Sequence, residues 1–367
     1  METIRVLHVV TYMGRGGLET MIMNYYRHMD RSRVQFDFLV HRDFQADYDE
    51  EIESLGGKIY RIPRLIPWSP SYHSALRSFF QSHPEYRIIH VHQDCLSSVI
   101  LKDAKIAGIP VRIAHCHSSS QDKNLKYLIK LFYMRQIPRY ATQLFACGKD
   151  AGDWMFRGAP YRVINNAIAS NKYTYSPQKR EQMRRQLGVR QDALVVGHVG
   201  RFNAVKNHTF LIDIFAQLKN YREDAVLLLV GDGVLRQETE KKAAACGLAD
   251  SVIFTGLRSD VPELMQTMDC FLFPSLYEGL PVTLIEAQAA GLPCIVSDGV
   301  PAECAVTSLV EYLALKEDPA VWANHIRSMQ NNPRHDTYQE IVEAGYDIKA
   351  NAQWLQDYYL SQWKKES

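Results

Sequence analysis

The 367-residue chain lacks the features of a membrane-spanning, secreted or disulfide-bonded protein. No apolar run reaches the ~18–20 residues that a membrane-spanning helix requires. The segment Met1–Arg5 has neither the charged region nor the cleavage site of a signal peptide. The seven cysteines are odd in number and form no CxxC pair, which argues against a disulfide framework and a structural zinc site. We therefore expect a cytoplasmic protein.

Net charge is also nearly absent, because a basic half and an acidic half cancel. Residues 1–190 contain 28 Lys and Arg against 17 Asp and Glu, whereas residues 191–367 contain 14 against 24. A basic half favours an anionic partner such as nucleic acid or a membrane surface, although an incidental charge distribution would look the same. The chain carries no recognition motif of the known nucleic-acid-binding folds, so we expect no nucleic acid partner.

What the sequence does contain is a repeated alternation of short apolar runs with helical patterns. Because parallel strands need right-handed helical crossovers, it predicts an α/β fold of two Rossmann-like, doubly wound domains. Two such sheets, facing each other, would bind a ligand in the cleft at the carboxyl ends of their strands. The predicted strands are Ile4–Val10, Gln35–Val40, Lys58–Arg61, Arg87–Val91, Val111–His115 and Gln143–Ala146, then Leu194–Val199, Ala225–Val230, Val252–Thr255, Cys270–Phe273 and Cys294–Ser297.

Composition places the domain boundaries. A first domain over residues 1–168 is followed by a polar segment, 169–190, which is typical of a linker with one surface helix. The second domain covers residues 191–336. From residue 337 the chain is helical and rich in aromatics, which favours a tail that packs back onto the first domain.

The first of three unusual segments follows strand Ile4–Val10 and opens a helix. Its glycines would let the backbone approach a ligand, and the helix amino terminus favours an anion such as phosphate. A tight turn without a ligand would look the same, and the spacing misses the GxGxxG fingerprint, which disfavours a dehydrogenase. The segment reads Gly14-Arg15-Gly16-Gly17-Leu18-Glu19.

The second segment, Gly200–Asn207, lies after strand Leu194–Val199, and Arg201 and Lys206 stand where a helix is about to begin. Two cations there would bind a pyrophosphate, Arg through its fork and Lys as a point charge. Two solvated surface cations are the alternative. Basic residues at a helix start oppose the helix dipole, however, and that penalty favours a functional role.

The third segment, Pro274–Ala287, places Glu278 and Glu286 on either side of a glycine-containing turn and a helix start. A carboxylate accepts hydrogen bonds from the vicinal hydroxyls of a ribose or hexose. The backbone amides of Gly279–Leu284 could meet phosphate or sugar oxygens. A solvated helix face would also accommodate Glu286, but its neighbours are apolar and an unpaired carboxylate among them would be costly.

Glu278–Glu286, with the Ala287–Pro293 run that follows, resembles the EX7E region of retaining GT-B glycosyltransferases, in particular family 4. The resemblance covers nearly the whole chain. Gly16–Glu19 is similar to that family's amino-terminal glycine loop, and Gly231–Gly233 is similar to its next glycine turn. Gly200 and Arg201, together with Lys206, resemble its phosphate-binding pair. Asn165–Ile168 is similar to its interdomain segment, except that Ala167 replaces the usual glycine.

The resemblance implies a role for each matching residue. Glu286 would hold the ribose, Arg201 and Lys206 the diphosphate, and Glu278 and His117 the donor sugar. The catalytic set would be Glu278, Arg201, Lys206 and His117. The donor-binding set would be Gly16, Gly17, Gly200, Arg258 (in the loop that ends at Asp260), Gly279, Leu280, Pro281, Val282, Thr283, Leu284 and Glu286, and the acceptor set His92 and Asn166.

Two HxH pairs, His90-Val91-His92 and His115-Cys116-His117, raise the question of a metal. Residues i and i+2 of a strand share a face, so the geometry permits one. No matching carboxylate or cysteine set accompanies the pairs, and strand-end histidines that face a cleft explain both. The resemblance likewise implies metal-independent catalysis without a cofactor, in which the nucleotide-sugar donor is a co-substrate.

The acceptor is less visible in the sequence. The segment Lys123–Arg135 mixes basic and large apolar residues at helical spacing, which favours a helix docked on anionic lipid, although a core helix with a solvated basic face fits equally. The segment Ile62–Phe80, with Trp68 and Phe79-Phe80, could extend that surface. A polyprenyl-linked sugar at the inner face of the membrane would then be the acceptor.

The sequence therefore predicts a retaining hexosyltransferase that moves a sugar from a nucleotide diphosphate sugar to a glycan or lipid-linked glycan. UDP as the base and surface polysaccharide biosynthesis as the setting follow from the resemblance alone. A non-catalytic bilobal nucleotide- or sugar-binding protein, or a sugar-nucleotide epimerase or phosphorylase of the same architecture, are the alternatives. A phosphorylase would usually need a far longer chain, and the acid–base carboxylates of an epimerase are not evident.

Overall fold

The computed structural model describes residues 3–118, 127–329 and 334–365. Contacts divide them into two domains, the first made of the described residues of Met1–Ala167 and Ile348–Ser367 and the second of those of Ile168–Asp347. The segment 169–190, predicted as a linker, lies within the second domain. The segment 337–367, predicted as one tail, divides between the two domains at Ile348.

The first domain is built on a seven-stranded parallel sheet of order β3-β2-β1-β4-β5-β6-β7. Its strands are β1 Ile4–Val10, β2 Val34–Val40, β3 Ile59–Arg61, β4 Ile88–Val91, β5 Val111–Cys116, β6 Gln143–Ala146 and β7 Arg162–Val163. Its helices are α1 Gly17–His28, α2 Asp49–Ser54, α3 Pro70–Ser82, α4 Ser97–Ile106, α5 Tyr127–Met134, α6 Ile137–Tyr140 and α7 Lys149–Phe156, with α15 Ile348–Lys365 from the end of the chain.

The central strands of this sheet are buried along nearly their whole length, as expected where helices cover both faces of a parallel sheet. All but one residue of β1 are buried, as is every residue of β2 and β4. Helix α15 packs on α1, β1 and β2, and its Tyr359 is fully buried with its ring 6.0 Å from that of Phe36. The last helix of the chain is thus part of the first domain's core.

The second domain repeats the plan with a six-stranded parallel sheet of order β10-β9-β8-β11-β12-β13. Its strands are β8 Val195–Val199, β9 Val226–Val230, β10 Val252–Phe254, β11 Cys270–Phe273, β12 Cys294–Ser297 and β13 Val310–Leu313. Its helices are α8 Pro177–Gln186, α9 His208–Lys219, α10 Arg236–Ala245, α11 Val261–Thr267, α12 Val282–Ala289, α13 Pro319–Ser328 and α14 Tyr338–Glu343.

The predicted fold class is confirmed, and every predicted strand is present within one residue of its expected bounds. Two edge strands were not predicted, β7 and β13. The first is only two residues long and exposed, and the second is partly buried throughout, so neither carries the buried apolar run that identifies a central strand.

Helix α8 differs from the predicted surface helix, because Arg184 within it is fully buried. Its guanidinium donates to the carbonyls of Thr267 (2.8 Å) and Ala193 (2.9 Å) and pairs with Asp269 (2.7 Å). A buried Arg is tolerated only when its donors are satisfied, as they are here. Arg184 therefore joins α8 to the sheet, which the polar composition of this segment did not indicate.

Candidate functional site

Both sheets have a point where the chain reverses its direction of winding, between β1 and β4 in the first domain and between β8 and β11 in the second. Doubly wound sheets bind their ligands in the crevice at the carboxyl ends of those two strands. Each predicted motif can therefore be placed relative to the reversal point of its own sheet.

In the second domain, an ion pair joins two of the predicted motifs at this point. Lys206, in the loop after β8, lies with its Nζ 2.6 Å from Oε1 of Glu278, in the loop after β11. Their side chains are 16% and 13% exposed, and the Lys206 ammonium also lies 4.5 Å from the centre of the Phe273 ring. Two residues 72 positions apart thus form one charged group at the ligand end of the sheet.

The backbones of these two loops are fixed to each other as well. The amide of Leu276 donates to the carbonyl of Val205 (2.8 Å), and the Asn207 side chain donates to the carbonyl of Pro274 (3.2 Å). Asn207 has a φ of 54°, a left-handed conformation that Asn tolerates better than most residues. The Lys206–Glu278 pair is therefore held by backbone contacts on both sides.

Glycines bring the neighbouring loop close to the same place. Gly231, after β9, has a φ of 136°, and a Cβ there would overlap the carbonyl of Gly200. Gly200 itself donates to the carbonyl of Val230 (2.9 Å), and the next residue, Arg201, is exposed. The close approach of these loops requires glycine and leaves the Arg201 side chain accessible to an anion.

Helix α12 begins at Val282, directly after the Gly279–Pro281 turn. The amide of Leu284 donates to the carbonyl of Pro281 (2.9 Å), whereas the amides of Val282 and Thr283 have no acceptor within the helix, as at any helix start. The positive end of the helix dipole thus follows Glu278, the partner of Lys206, in the same loop of the chain. This combination of amides and an ammonium is well suited to a phosphate.

Glu286 lies on the second turn of α12, half-buried, and its Oε1 accepts a hydrogen bond from Tyr173 Oη at 2.5 Å. Burial raises the pKa of Glu286 to about 7, and the Tyr173 hydrogen bond opposes that rise. Tyr173 is itself buried, and its carbonyl accepts from Gln266 (3.0 Å). Sequence reasoning missed Tyr173, because a lone tyrosine in a polar segment carries no signal.

Arg258 and Asp260 belong to the loop after β10 and pair with each other. Two parallel hydrogen bonds of 2.6 and 2.7 Å join the guanidinium to the carboxylate. The Asp260 carboxylate raises the pKa of Arg258, and the Arg258 side chain is 39% exposed. The pair stiffens the loop immediately before α11, which is where the resemblance places contacts with the nucleotide base.

The five remaining predicted residues lie in the first domain: Gly16, Gly17, His92, His117 and Asn166. Helix α1 begins at Gly17, and the backbone of Gly16 is extended. The Glu19 carboxylate lies against Gly16, and burial raises its pKa. Asn166 is half-buried and follows Asn165, whose carbonyl accepts from Tyr25 (2.7 Å).

A cavity of about 490 Å³ lies at the ligand end of the first sheet, where β1 and β4 end. Asp94 organises one wall, since its carboxylate accepts from the amide of His117 (3.0 Å) and the hydroxyl of Ser118 (3.0 Å). Asp94 has a φ of 43°, an uncommon conformation for a residue other than glycine. The lining comprises Thr11, Leu18, His92, Gln93, Asp94, Cys95, Leu96, Ser118, Lys130 and Trp154.

Five histidines, called the histidine cluster below, lie side by side on one face of the first sheet. His8, His90 and His115 belong to β1, β4 and β5, and His92 and His117 directly follow β4 and β5. The rings are linked by nitrogen–nitrogen contacts of 3.1 Å (His8–His92), 2.9 Å (His92–His117) and 3.2 Å (His90–His115). Burial lowers the pKa of all five, that of His8 to about 3 and that of His117 to about 4, so the cluster is neutral. The two predicted HxH pairs thus meet, together with His8, which the sequence did not single out.

Comparison with known proteins identifies the family. The model described as "Glycosyltransferase Family 4" matches residues 15–172, and that described as "Glycosyl transferases group 1" matches residues 179–348. "Putative glycosyltransferase EpsF" of Bacillus subtilis (strain 168) is 39% identical over 97% of this chain and 96% of its own length. This chain is a family 4 glycosyltransferase.

Other relatives of this glycosyltransferase are more distant. "Capsular polysaccharide biosynthesis glycosyltransferase CapH" of Staphylococcus aureus is 23% identical over 98% of this chain and 99% of its own. The "UDP-Gal:alpha-D-GlcNAc-diphosphoundecaprenol alpha-1,3-galactosyltransferase" of Escherichia coli is 26% identical over 58% of each chain.

Solved structures share the fold. The Anabaena Alr3699/HepE structure in complex with UDP and glucose has a TM-score of 0.76 at 20% identity and covers 98% of this chain and 100% of that one. A glycosyltransferase from Rickettsia africae ESF-5 has a TM-score of 0.79 at 14% identity, with 99% and 100% covered. The two Rossmann-like sheets are accordingly those of the GT-B fold.

Proposed function

We propose that this glycosyltransferase transfers a hexose from a UDP-sugar, with retention of anomeric configuration, in the biosynthesis of a surface polysaccharide. The acceptor we propose is a glycan or a lipid-linked glycan. The observation that carries the donor half of the proposal is the Lys206–Glu278 ion pair at the reversal point of the second sheet, beside the start of α12.

The chemistry follows from charges that are already in place. When the sugar leaves, negative charge accumulates on the diphosphate, and fixed cations and amides lower the energy of that transition state. Arg201 and Lys206, with the amides of Val282 and Thr283, would supply this stabilisation without a divalent ion. Lys206 would then be shared between Glu278 and the phosphate, which leaves the Glu278 carboxylate for the donor sugar.

Glu286 would bind the ribose. Its two carboxylate oxygens can accept both vicinal hydroxyls, which requires the ionised form and displacement or sharing of the Tyr173 hydrogen bond. The assignment of UDP is supported by the Anabaena structure, which contains UDP, and by the Escherichia coli relative, whose name specifies UDP-galactose. The polysaccharide setting is supported by the name of the Staphylococcus aureus relative.

Nucleotide binding is the first test. Calorimetric titration with UDP, GDP and ADP should show one nucleotide that binds, and we expect UDP. Arg201→Ala should weaken that binding about tenfold or more, since a charge-assisted contact to phosphate contributes roughly 1.5–3 kcal/mol. Arg185→Ala is the matched control, because Arg185 is an exposed arginine of the same domain whose partner is Glu181.

The outcomes of these measurements separate the donor assignment, the catalytic activity and the retention of configuration. If no nucleotide binds the wild-type chain, the donor assignment fails. If UDP binds but a UDP-sugar is neither hydrolysed nor transferred to any acceptor, a non-catalytic binding protein becomes the better account. Retention is tested separately by NMR of the product, where inversion at the anomeric carbon would reject that part of the proposal.

A lipid-linked acceptor implies contact with a membrane, and the first domain offers an apolar surface for it. On α5, Leu128 and Phe132 are 74% and 62% exposed, and Trp68 before α3 is 65% exposed. Ile129 and Lys130 of α5 share with Trp68 the lining of a cavity of about 470 Å³. Exposed apolar side chains beside cations are typical of docking on anionic lipid.

One part of the predicted membrane surface is buried, and another part lies outside the described residues. Phe79 and Phe80, predicted to belong to it, are buried at 9% and 5% exposure, because α3 turns both toward the first domain's core. Residues 123–126 lie outside the described residues. Within the described residues, the helices are too short or too polar to cross a bilayer.

Vesicle flotation tests this surface. The wild-type chain should float with vesicles that contain anionic lipid, and the double variant Leu128→Glu with Phe132→Glu should remain at the bottom of the gradient. Val234→Glu is the control, since Val234 is 91% exposed but lies in the second domain. Failure of the wild-type chain to float would reject membrane docking and leave the donor assignment unaffected.

A further inference from the structure

Apart from His117, which the resemblance places beside the donor sugar, the histidine cluster has no part in the proposed donor chemistry. Its five imidazoles lie together on one face of the first sheet, and four of them, those of His8, His90, His92 and His115, are buried. One ring nitrogen from each of His92, His115 and His117 lies within 4.8 Å of the others. His92 and His115 are buried, whereas His117 is only partly so.

The hydrogen bonds among the five rings leave two buried nitrogens without a partner among the described residues, Nε2 of His8 and Nε2 of His115. A neutral imidazole has one N–H donor and one acceptor. Nδ1 of His115 contacts Nε2 of His90, but Nε2 of His115 is buried with no partner among the described residues. A buried nitrogen without a partner is costly, and such groups in native proteins call for an explanation.

From this geometry we propose that His92, His115 and His117 bind a divalent transition-metal ion, of which Zn²⁺ is the natural candidate. His92 would use Nδ1, His117 Nε2, and His115 its unpartnered Nε2. Imidazole nitrogens suit Zn²⁺, Co²⁺ and Ni²⁺, whereas Mg²⁺ and Ca²⁺ prefer oxygen ligands.

The remaining ring nitrogens of these ligands support the assignment. With the ion on those nitrogens, His92 would donate its Nε2–H to Nδ1 of His8, at 3.1 Å. His115 would donate its Nδ1–H to Nε2 of His90, at 3.2 Å. His90 is held in turn by Tyr359, whose hydroxyl lies 2.6 Å from Nδ1. Metal-binding histidines usually donate their second N–H to such an outer acceptor, which fixes tautomer and orientation.

Metal binding would require the rings of His92 and His117 to move slightly apart. Nδ1 of His92 and Nε2 of His117 are 2.9 Å apart, the length of one hydrogen bond. Two ligands of a tetrahedral zinc, each about 2.0–2.1 Å from the ion, stand roughly 3.3–3.4 Å apart. The rings would therefore separate by about half an ångström, a movement that the partly buried His117 can make.

Three protein ligands leave a fourth position open, as in catalytic rather than structural zinc sites. His92 lines the cavity at the end of the first sheet, together with Asp94 and Ser118. The Asp94 carboxylate accepts from the backbone amide of His117 and from the hydroxyl of Ser118. The open position would face that cavity. This ion is distinct from the diphosphate-bound divalent ion that the donor chemistry does without, so the two proposals stand or fall separately.

The test is metal binding by the purified chain after dialysis against a chelator. Calorimetry should give one Zn²⁺ per chain, and Co²⁺ should give the intense visible absorption of tetrahedral coordination. His117→Ala should weaken Zn²⁺ binding more than about 100-fold, and His8→Leu, which removes an outer acceptor, by about 10- to 100-fold. His73→Ala is the control, a half-buried histidine of the same domain paired with Asp103.

Failure of the wild-type chain to bind Zn²⁺ at unit stoichiometry would overturn the proposal, as would a weak octahedral Co²⁺ spectrum. Unchanged affinity in a folded His117→Ala variant would also overturn it. Should that variant unfold, the wild-type stoichiometry and Co²⁺ spectrum alone decide the matter. Zinc binding without UDP binding would reject the donor assignment and leave this site intact.

Discussion

The two domains share a topology but differ in the chemistry at the same place in it. Both sheets contain the strand order 3-2-1-4-5-6, to which the first adds β7 at its edge, and both have a group of polar side chains where the winding reverses. In the second domain that group is charged, with Lys206 and Glu278 paired at 2.6 Å. In the first domain it is the neutral histidine cluster. Topology therefore locates a ligand site, and only the residues in it decide the ligand.

The electrostatic difference follows from burial. The Lys206 and Glu278 side chains retain some exposure and form an ion pair, so the Lys206 ammonium would be able to exchange its carboxylate partner for a phosphate. Protonation of the clustered imidazoles would put like charges side by side in a buried sheet. Burial and their mutual repulsion keep these rings neutral. The second domain is thus equipped for an anion, and the first for a neutral ligand or a metal.

The comparison is tested most severely by removing the cation of the second domain. Lys206→Ala should lower kcat by about 10²–10³-fold, the usual cost of losing one group that stabilises transition-state charge. The expected loss is large because Lys206 would interact with the leaving diphosphate as its charge develops. Steady-state kinetics with a UDP-sugar and a suitable acceptor would measure it.

Lys241→Ala provides the control for that experiment, since Lys241 is an exposed lysine of α10 in the same domain. A kcat for Lys206→Ala within a few-fold of the control value would show that the ion pair is structural. Support for a catalytic role of the Lys206–Glu278 pair would then be no stronger than that for the histidine cluster.

The pH dependence of stability is the next largest expected effect. Since burial raises the pKa of Glu286 from its ordinary value of 4.5 to about 7, the folded state holds an extra proton between these values. The free energy of unfolding should therefore fall as pH rises from 4.5 to about 7, by up to about 3 kcal/mol. Glu286→Gln removes this loss, so the variant should gain stability relative to wild type between pH 5 and pH 8.

Thermal unfolding of both proteins at the two pH values would measure that gain. Glu238→Gln, an exposed glutamate of α10, should show no such pH-dependent difference from wild type. A difference between Glu286→Gln and wild type that is equal at pH 5 and pH 8 would mean that Glu286 titrates normally.

A smaller effect is expected on UDP binding, where under the proposed function the same carboxylate would accept hydrogen bonds from the ribose. Glu286→Gln should weaken UDP binding about tenfold, because the charged acceptor of the ribose hydroxyls is lost. In the wild-type chain, affinity should also fall between pH 8 and pH 6, as the carboxylate takes up a proton. Titration calorimetry at both pH values would show the fall in wild type and its absence in the variant.

Sequence alone predicted the strands and the donor motifs, because both depend on local patterns. The apolar runs of β8 and β11 and the glycine loops after them are readable within a dozen residues. The ion pair between Lys206 and Glu278 was not predicted, because it depends on β8 and β11 being neighbours. Adjacency of strands is a property of the whole sheet.

The same reason explains the incomplete prediction of the histidine cluster. The spacing of His90 and His92 showed that they share a face, as did that of His115 and His117. Their meeting required β4 and β5 to pair, and the addition of His8 required β1 to lie beside β4. Phe79 and Phe80 were misplaced for a related reason, since exposure depends on which face of α3 the sheet covers.

The smallest expected effect concerns two adjacent tyrosines of α15 and would sharpen the account of the first domain. Tyr359 Oη contacts His90 Nδ1 at 2.6 Å, whereas the buried hydroxyl of Tyr358 has no partner among the described residues. Tyr359→Phe should destabilise the first domain by about 1 kcal/mol, since it leaves a buried His90 nitrogen unsatisfied. Tyr358→Phe should be neutral or stabilising, because it removes a buried hydroxyl that gains nothing from burial. Urea unfolding of both variants would measure the contrast, and equal effects would mean that the Tyr359–His90 contact does not support the histidine cluster.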